Sequence, residues 1–361
     1  MMHKKIDTQV VKGLVKDSTV AVKDIFTRSM TQATGPKGSV GVDIGSYAVK
    51  AVRLESSKEG YKLLGFGIEK VSGNNYLDAL SKSLAKVGAA PDQSAAIAVS
   101  GQGVVSRYIE LPLMNTNDLE SSMRFEIEKY VPFALAEVAT DYTIVQELKD
   151  KAKMSILIVA AKNDLVQKKT DLARQVNLNL RAIDLDCLAL ANFYTEFCSP
   201  KKTGCIGLVN LGKTTANMNV LVDGFPYLSR DIFVGGDDIT KKMCEALEVD
   251  YAEAENLKHD PGTRQKELYA VWDPVLNNLA AEIRVSLDYF EARMNRTVEQ
   301  VVITGGTSRL AGLRDYLCQL LGVEVRATDF LDRLPCAEAV DRRALKAEAD
   351  LLAVAMGLAL R

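Results

Sequence analysis

The sequence predicts an α/β protein of two lobes, with a small α+β unit inserted into the first. Three observations predict it. A meander of three short apolar strands joined by tight turns opens near residue 39, and a meander of the same design recurs near residue 205. Each is followed by segments whose apolar residues repeat at the helical period. Between them lies a block with its own strands and helices. A strand-and-helix design repeated in two halves reads as a duplicated, two-lobed architecture, and 361 residues suit two lobes better than one core.

Residues 9–28 form an amphipathic helical pattern. Val11, Leu14, Val15, Ser18, Val22, Ile25 and Phe26 share one stripe, with Lys12, Lys16 and Lys23 on the other side. Two readings stand for residues 1–38: a helix touching an anionic membrane or a partner, or an arm that is loosely ordered or docked on its own protein. The Thr, Gly, Pro and Ser content of 31–39 marks a linker. Strands are predicted over 39–43, 49–55 and 61–71, then a helix over 76–87 and a buried strand over 95–100. The inserted unit, 104–181, has strands at 104–111, 142–148 and 154–161 and helices at 119–130 and 164–176. A strand at 181–186 and a helix at 188–197 return to the first lobe. The second lobe, 205–334, has strands at 205–210, 215–222 and 227–233, helices at 238–247 and 251–257, and a long helix at 265–294. A strand at 301–304, a helix at 313–321 and a strand at 323–326 complete it. A closing helix at 345–360 belongs to the first lobe, which comprises 39–103, 182–204 and 335–361.

Composition narrows the function. Apolar residues make up 47% and charged residues 25%, as in ordinary soluble globular proteins. A net charge of −2 gives no global basic field for nucleic acid, although residues 1–39 hold seven Lys/Arg against three Asp. Cys187, Cys198, Cys205, Cys244, Cys318 and Cys336 include no C-x-x-C pair, and only His3 and His259 add imidazoles, so neither a zinc site nor a disulfide framework is expected. Scattered thiols fit a reducing cytosol. No apolar run reaches the ~18–20 residues of a membrane span, and Lys4 and Lys5 precede no apolar block of a secretory signal. The expectation is a cytoplasmic protein whose membrane contact is indirect or made through residues 9–28.

Four motifs carry chemistry. In the first, Gly41 to Lys50, a strand ends at Asp43 and turns at Gly45 and Ser46. A turn of small residues lets backbone N–H groups approach phosphate oxygens. Asp43 has the chemistry to hold a hydrated Mg²⁺ and Lys50 to add a point charge; a plain hairpin reads the same way. The second, Leu208 to Thr215, repeats the design with Asn210, Gly212, Lys213, Thr214 and Thr215. Two such hairpins facing each other would clamp a phosphate. The third, Val301 to Leu310, ends an apolar strand in Gly305-Gly306-Thr307, followed by Arg309; flat glycine backbone suits an adenine ring, or simply a turn into a helix. The fourth begins a helix at Gly235-Gly236 and is followed by Glu255 and Lys258, three apart on one helical face. That pair is either a solvated ion pair or a ribose contact.

The order of these elements resembles the actin, DnaK-chaperone and sugar-kinase superfamily over residues 40–361. The resemblance implies an actin-like two-lobed ATPase fold with duplicated RNase H-like halves, and an interlobe cleft holding ATP or ADP with Mg²⁺. The insert narrows the family. Glu126-Ile127-Glu128-Lys129-Tyr130-Val131-Pro132-Phe133, then Glu137 and Asp141-Tyr142, resembles PilM, as does the ending Ala355 to Arg361. Pro132 stops the helix, and Tyr130 and Phe133 pack the corner. A sugar kinase would place a substrate pocket and catalytic Asp in the insert, and none is found. A DnaK-type chaperone would need a further peptide-binding domain, and FtsA, whose insert is similarly placed, a membrane-binding C-terminal helix.

The PilM resemblance implies an inserted subdomain of the FtsA/PilM type and a cytoplasmic ATP-binding scaffold peripheral to the inner membrane. It implies capture of the N-terminal tail of a PilN-like membrane protein, contacts to the pilus motor ATPases and platform proteins, and a capacity for self-association. Three residues depart from the pattern. Asn210 stands where the family usually has Asp, removing a charge near the metal and the attacking water. Asp186 matches an acidic position, usually Glu, that orients water; it equally suits a helix cap. Tyr47 replaces a small residue in the first loop. The expectation is a nucleotide-binding switch with slow or absent hydrolysis. The rival readings are a sugar or acetate kinase, an FtsA-like filament protein, and the actin-like cytoplasmic component of a type II secretion platform.

Overall fold

The computed structural model describes residues 38–90, 93–148, 152–198 and 203–361; the amphipathic pattern at 9–28 lies outside them. β1 (Ser39–Ile44), β2 (Ala48–Ser57) and β3 (Gly60–Lys70) form the first meander. All six residues of β1 are buried, because it is the middle strand of its sheet. α1 (Tyr76–Val87) starts where the Asn75 side chain accepts the Asp78 N–H and stops at Gly88 in the left-handed region, φ 60°. Its buried Ala79, Leu80, Leu84 and Val87 close over β2 and β3. β4 (Ser94–Val99) then pairs parallel to β1.

The inserted unit follows: β5 (Val104–Pro112), α2 (Thr116–Tyr130), β6 (Val138–Leu148) and β7 (Lys153–Lys162). Its sheet runs β5-β7-β6, all antiparallel. Leu119, Met123 and Ile127 of α2 cover one face, against Ile109, Ile156 and Ile158. α2 stops at Tyr130, just before Pro132, and Tyr130 and Phe133 lie against that small core as the sequence predicts. α3 (Asn163–Gln175) turns its buried Val166, Thr170 and Ala173 toward β4, β7 and β8 (Asn179–Leu185).

α4 (Asp186–Phe193) carries the chain to the second lobe. There β9 (Cys205–Leu211), β10 (Ala216–Val222) and β11 (Phe225–Ile232) repeat the meander. α5 (Gly236–Leu247), α6 (Tyr251–His259) and α7 (Gln265–Met294) follow. β12 (Gln300–Thr304), α8 (Leu313–Leu321) and β13 (Glu324–Ala327) complete the lobe. The two large sheets have the orders β3-β2-β1-β4-β8 and β11-β10-β9-β12-β13. In each, three antiparallel strands are followed by two parallel ones. The duplication read from the sequence is therefore present strand for strand. Trp272, Leu276, Ile283, Leu287 and Phe290, one buried stripe of α7, fill the second lobe's core.

The predicted closing helix at 345–360 is broken. α9 (Arg342–Glu348) ends in a single tight turn, Ala349–Leu351, before α10 (Ala353–Leu358). The break has a tertiary cause: the Asp350 carbonyl accepts the Gly305 N–H at 2.8 Å and the Thr304 hydroxyl at 3.0 Å, so it is unavailable to the helix. α4 and α10 lie against each other between the lobes, with Ala96, Ala98, Ala182, Ala189, Val354 and Leu358 forming a small-residue seam.

One half-buried carboxylate in the insert gives a pH signature. Burial pushes Asp141 up to about 6 from an ordinary value of 3.8, and the Tyr142 N–H at 2.8 Å offsets this only in part. A folded pKa above the unfolded one means the folded chain binds the proton more tightly. Stability is therefore lost as pH rises from about 4 through about 6, and the cost stands in full at neutral pH. Asp141→Asn should raise stability by about 1–2 kcal/mol near pH 7 and leave it unchanged below about pH 4, read from urea midpoints.

Candidate functional site

The two hairpins meet. The β1–β2 turn, Gly45 to Tyr47, and the β9–β10 turn, Gly212 to Thr215, come from opposite sheets, and the Ser46 and Thr214 hydroxyls lie 3.1 Å apart. Each turn closes the same way, with the Gly45 N–H to the Ala48 carbonyl at 3.2 Å and the Gly212 N–H to the Thr215 carbonyl at 3.1 Å. Beside them opens a cavity of about 990 Å³ between the lobes. Asp43, Tyr47 and Lys50 line it from the first lobe, and Asn210, Gly212 and Lys213 from the second hairpin. Gly236, Glu255 and Lys258 form another side, with Gly305, Gly306, Thr307 and Arg309. The four motifs, separated by more than two hundred residues, thus converge on one cleft.

Six predicted residues stand outside that lining. Gly45, Ser46, Thr214 and Thr215 build the turns. Gly235 lies behind the second hairpin, where a Cβ would sit 2.3 Å from the Lys213 carbonyl oxygen. Asp186 sits at the first turn of α4 and accepts the Ser100 hydroxyl at 2.6 Å. Leu185, not Asp186, occupies the N-cap position of α4, and no side-chain cap hydrogen bond is made there. Burial, with Asp43 nearby, raises Asp186 to about 6.

Glycine is needed where backbones touch. Gly305 has φ 90°, and a Cβ there would lie 2.5 Å from both Asn210 Oδ1 and the Leu211 carbonyl. A Cβ on Gly236 would lie 2.6 Å from Thr307 Oγ1. Thr307 Oγ1 donates to the Gly212 carbonyl at 2.8 Å, which ties the third motif to the second hairpin. The first N–H groups of α5 are used within the protein: Gly236 donates to Gly212 at 3.1 Å and Asp237 to Lys213 at 2.7 Å. Arg309 is held by Glu348 at 3.3 Å and Asp350 at 3.4 Å.

Glu255 and Lys258 are not a solvated pair. Lys258 Nζ donates to Glu255, to Thr240 Oγ1 at 2.7 Å and to the Gly236 carbonyl at 3.1 Å, and Thr240 also donates to Glu255. Burial alone would raise the Glu255 carboxyl, but these hydrogen bonds outweigh it and hold it below the usual value. Lys258→Met should leave that carboxylate at the cavity wall without its ammonium partner, keeping the Thr240 hydroxyl. The expected result is a loss of about 1–2 kcal/mol of stability near neutral pH, read from urea midpoints.

Sequence reasoning missed Lys169. It extends from α3 to donate to the Ile44 carbonyl at 2.7 Å. Burial lowers its pKa, while Asp186 and Asp43 pull it back up. Nothing in the helix containing Gln167, Lys168 and Lys169 marks it, since a lysine on an amphipathic helix reads as solvated. Lys50, expected to face phosphate, pairs with Asp43 at 2.9 Å.

Comparison with known proteins identifies the family and the fold. The family model described as type IV pilus assembly protein PilM matches residues 41–361. The PilM-PilN type IV pilus biogenesis complex contains a chain similar in fold, with a TM-score of 0.78 and 22% identity over 91% of this chain and 99% of that one. The ethanolamine utilization protein EutJ from Carboxydothermus hydrogenoformans follows at 0.55 and 16%, over 94% and 96%. MreB5 of Spiroplasma citri bound to ADP matches at 0.50 and 10%, over 89% and 94%. The fold is the actin-like two-lobed one, and the match over residues 41–361 means that this chain belongs to the PilM family of type IV pilus assembly proteins.

Proposed function

We propose that the chain is an ATP- or ADP-binding scaffold of the pilus inner-membrane platform, at the cytoplasmic face, which binds the N-terminal tail of a PilN-like protein. One observation carries the nucleotide half: hairpins from opposite lobes meet beside a cavity whose lining is rich in glycine and lysine. Glycine turns bring N–H groups to phosphate, and Lys50, Lys70, Lys213 and Lys258 line the cavity to balance its charge. The residues present fit a nucleotide. A similar solved structure, MreB5, is bound to ADP. Another, the PilM-PilN complex, supports the PilN-like partner. No helix among the described residues is long and apolar enough to cross a membrane. Membrane attachment through a partner fits that finding.

The inserted unit, 104–181, is the proposed receiver of the tail, and the lobes are the switch. The insert reaches the second lobe through Tyr108, which stacks on Tyr227 at 6.5 Å and lies 3.4 Å from Ser229 Oγ. Lobe closure around a nucleotide would therefore shift the surface beside the insert. With Asn210 neutral at the second hairpin, hydrolysis is slow or absent. Motor ATPases and platform proteins are the proposed recipients of the signal. Anisotropy of a labelled PilN-like tail peptide tests this: the expected result is binding whose affinity changes at least about threefold with ATP. No binding of the tail in either state would remove the platform role, and equal binding would remove the switch.

A further inference from the structure

The cavity has the charges for a nucleotide but a poor set for a divalent cation. Asp43 is the carboxylate that lines the cavity at the first hairpin, and it is already answered by an ammonium group; Asp186 stands outside that lining, where it accepts the Ser100 hydroxyl at 2.6 Å. Lys50 Nζ sits 2.9 Å from Asp43 Oδ2, with both side chains nearly buried. Lys169 Nζ, outside the cavity lining, donates to the Ile44 carbonyl at 2.7 Å behind the first hairpin; burial lowers its pKa, and Asp186 and Asp43 oppose that only in part. Asp231, another acid that acts on Asp186, is taken by the Gly101 N–H at 2.6 Å and the Asn217 amide at 2.7 Å. Asn210 offers a neutral amide that itself donates to Asn217 at 3.2 Å. Among the described residues no cluster of three His, Cys, Asp or Glu side chains has metal-holding geometry.

Mg²⁺ binds through one or two free carboxylates with water and substrate phosphate, in a strict octahedron. Here it would have to break the Lys50 pair and bring two positive charges beside two that are already fixed. The phosphates have another source of charge. The cavity is lined by seven Lys or Arg side chains against four Asp or Glu. From this balance we propose that the chain holds its nucleotide without a divalent cation, with the Lys50 ammonium group, backed by Lys169 behind the first hairpin, supplying the charge at the position where a metal is expected. The inference rests on the nucleotide-binding reading above. It accounts for feeble hydrolysis in a different way from Asn210 alone: no ion is present to polarise the terminal phosphate.

Calorimetric titration of the full chain with ATP, in excess Mg²⁺ and again in EDTA, is the test. The expected result is a pair of dissociation constants within about threefold of each other, whereas a larger loss in EDTA overturns the proposal. Lys169→Met should weaken binding in EDTA by at least about tenfold, with recovery when Mg²⁺ is added, and Lys169→Arg should keep the wild-type behaviour. Unchanged binding of Lys169→Met in EDTA also overturns it. If Lys169→Met does not fold, the wild-type comparison decides alone. No heat of binding in either buffer would instead sink the nucleotide reading, and this inference with it.

Discussion

Gly357→Ala is expected to destabilise the chain by about 3 kcal/mol and to weaken nucleotide binding along with it. A Cβ at Gly357 would stand 1.8 Å from the Ala189 carbonyl oxygen and 2.5 Å from its carbon. Those atoms are α4 backbone, so no side chain can swing aside. α10 is equally close on its other flank, where a Cβ on Gly41 would lie 1.9 Å from the Ala355 carbonyl oxygen. The helix is therefore wedged between α4 and β1, and β1 leads directly into the first hairpin. Pushing α10 outward would displace β1 and, with it, the first hairpin. Gly103→Ala is the control, because its Cβ would meet only ordinary contacts at 3.5–3.6 Å on Lys162 and Leu165. It should stay within about 0.5 kcal/mol of the parent. Urea denaturation of both variants, read beside ATP titrations, separates the wedge from a general intolerance of added volume.

Arg361→Met carries the second large effect, a loss of about 3–5 kcal/mol. The Arg361 guanidinium reaches Asp184 Oδ2 through Nε at 2.6 Å and Nη2 at 2.5 Å, and the two side chains are 9% and 2% exposed. Once the guanidinium is gone, Asp184 keeps, among the described residues, only the Leu185 N–H, at 2.8 Å on its other oxygen. An ionised carboxylate is then left in the interior without a counter-charge. Breaking such a pair costs far more than replacing it whole. The double change Asp184→Leu with Arg361→Met should therefore recover most of the loss. If it is as unstable as Arg361→Met alone, the penalty comes from lost packing of the arginine stem and not from the orphaned charge.

Much of the fold was legible because local rules and the global design agree. The β1–β2 and β9–β10 turns combine small residues with flanking apolar strands, and Pro132 ends α2 where expected. The convergence of Gly236, Gly305 and Thr307 on one cleft followed from motif order. What sequence could not supply depends on distant partners. The break between α9 and α10 exists because β12 claims the Asp350 carbonyl, a contact across 46 residues. Lys169 is indistinguishable from its neighbour Lys168 until α3 is docked beside β1. The three-residue spacing of Glu255 and Lys258 showed that they share a face; that Thr240 and the Gly236 carbonyl enclose them came from α5 packing on α6. Lys50 turned to Asp43 because a nearly buried carboxylate needs a partner.

A crystal structure of the full chain grown with an ATP analogue is the most direct measurement of the central claim. The account predicts triphosphate density lying between the Gly45–Tyr47 turn and the Gly212–Thr214 turn, with the base beside Gly305 and Gly306. An analogue present at saturating concentration but lodged elsewhere, or a cleft that stays free of it, would contradict that claim.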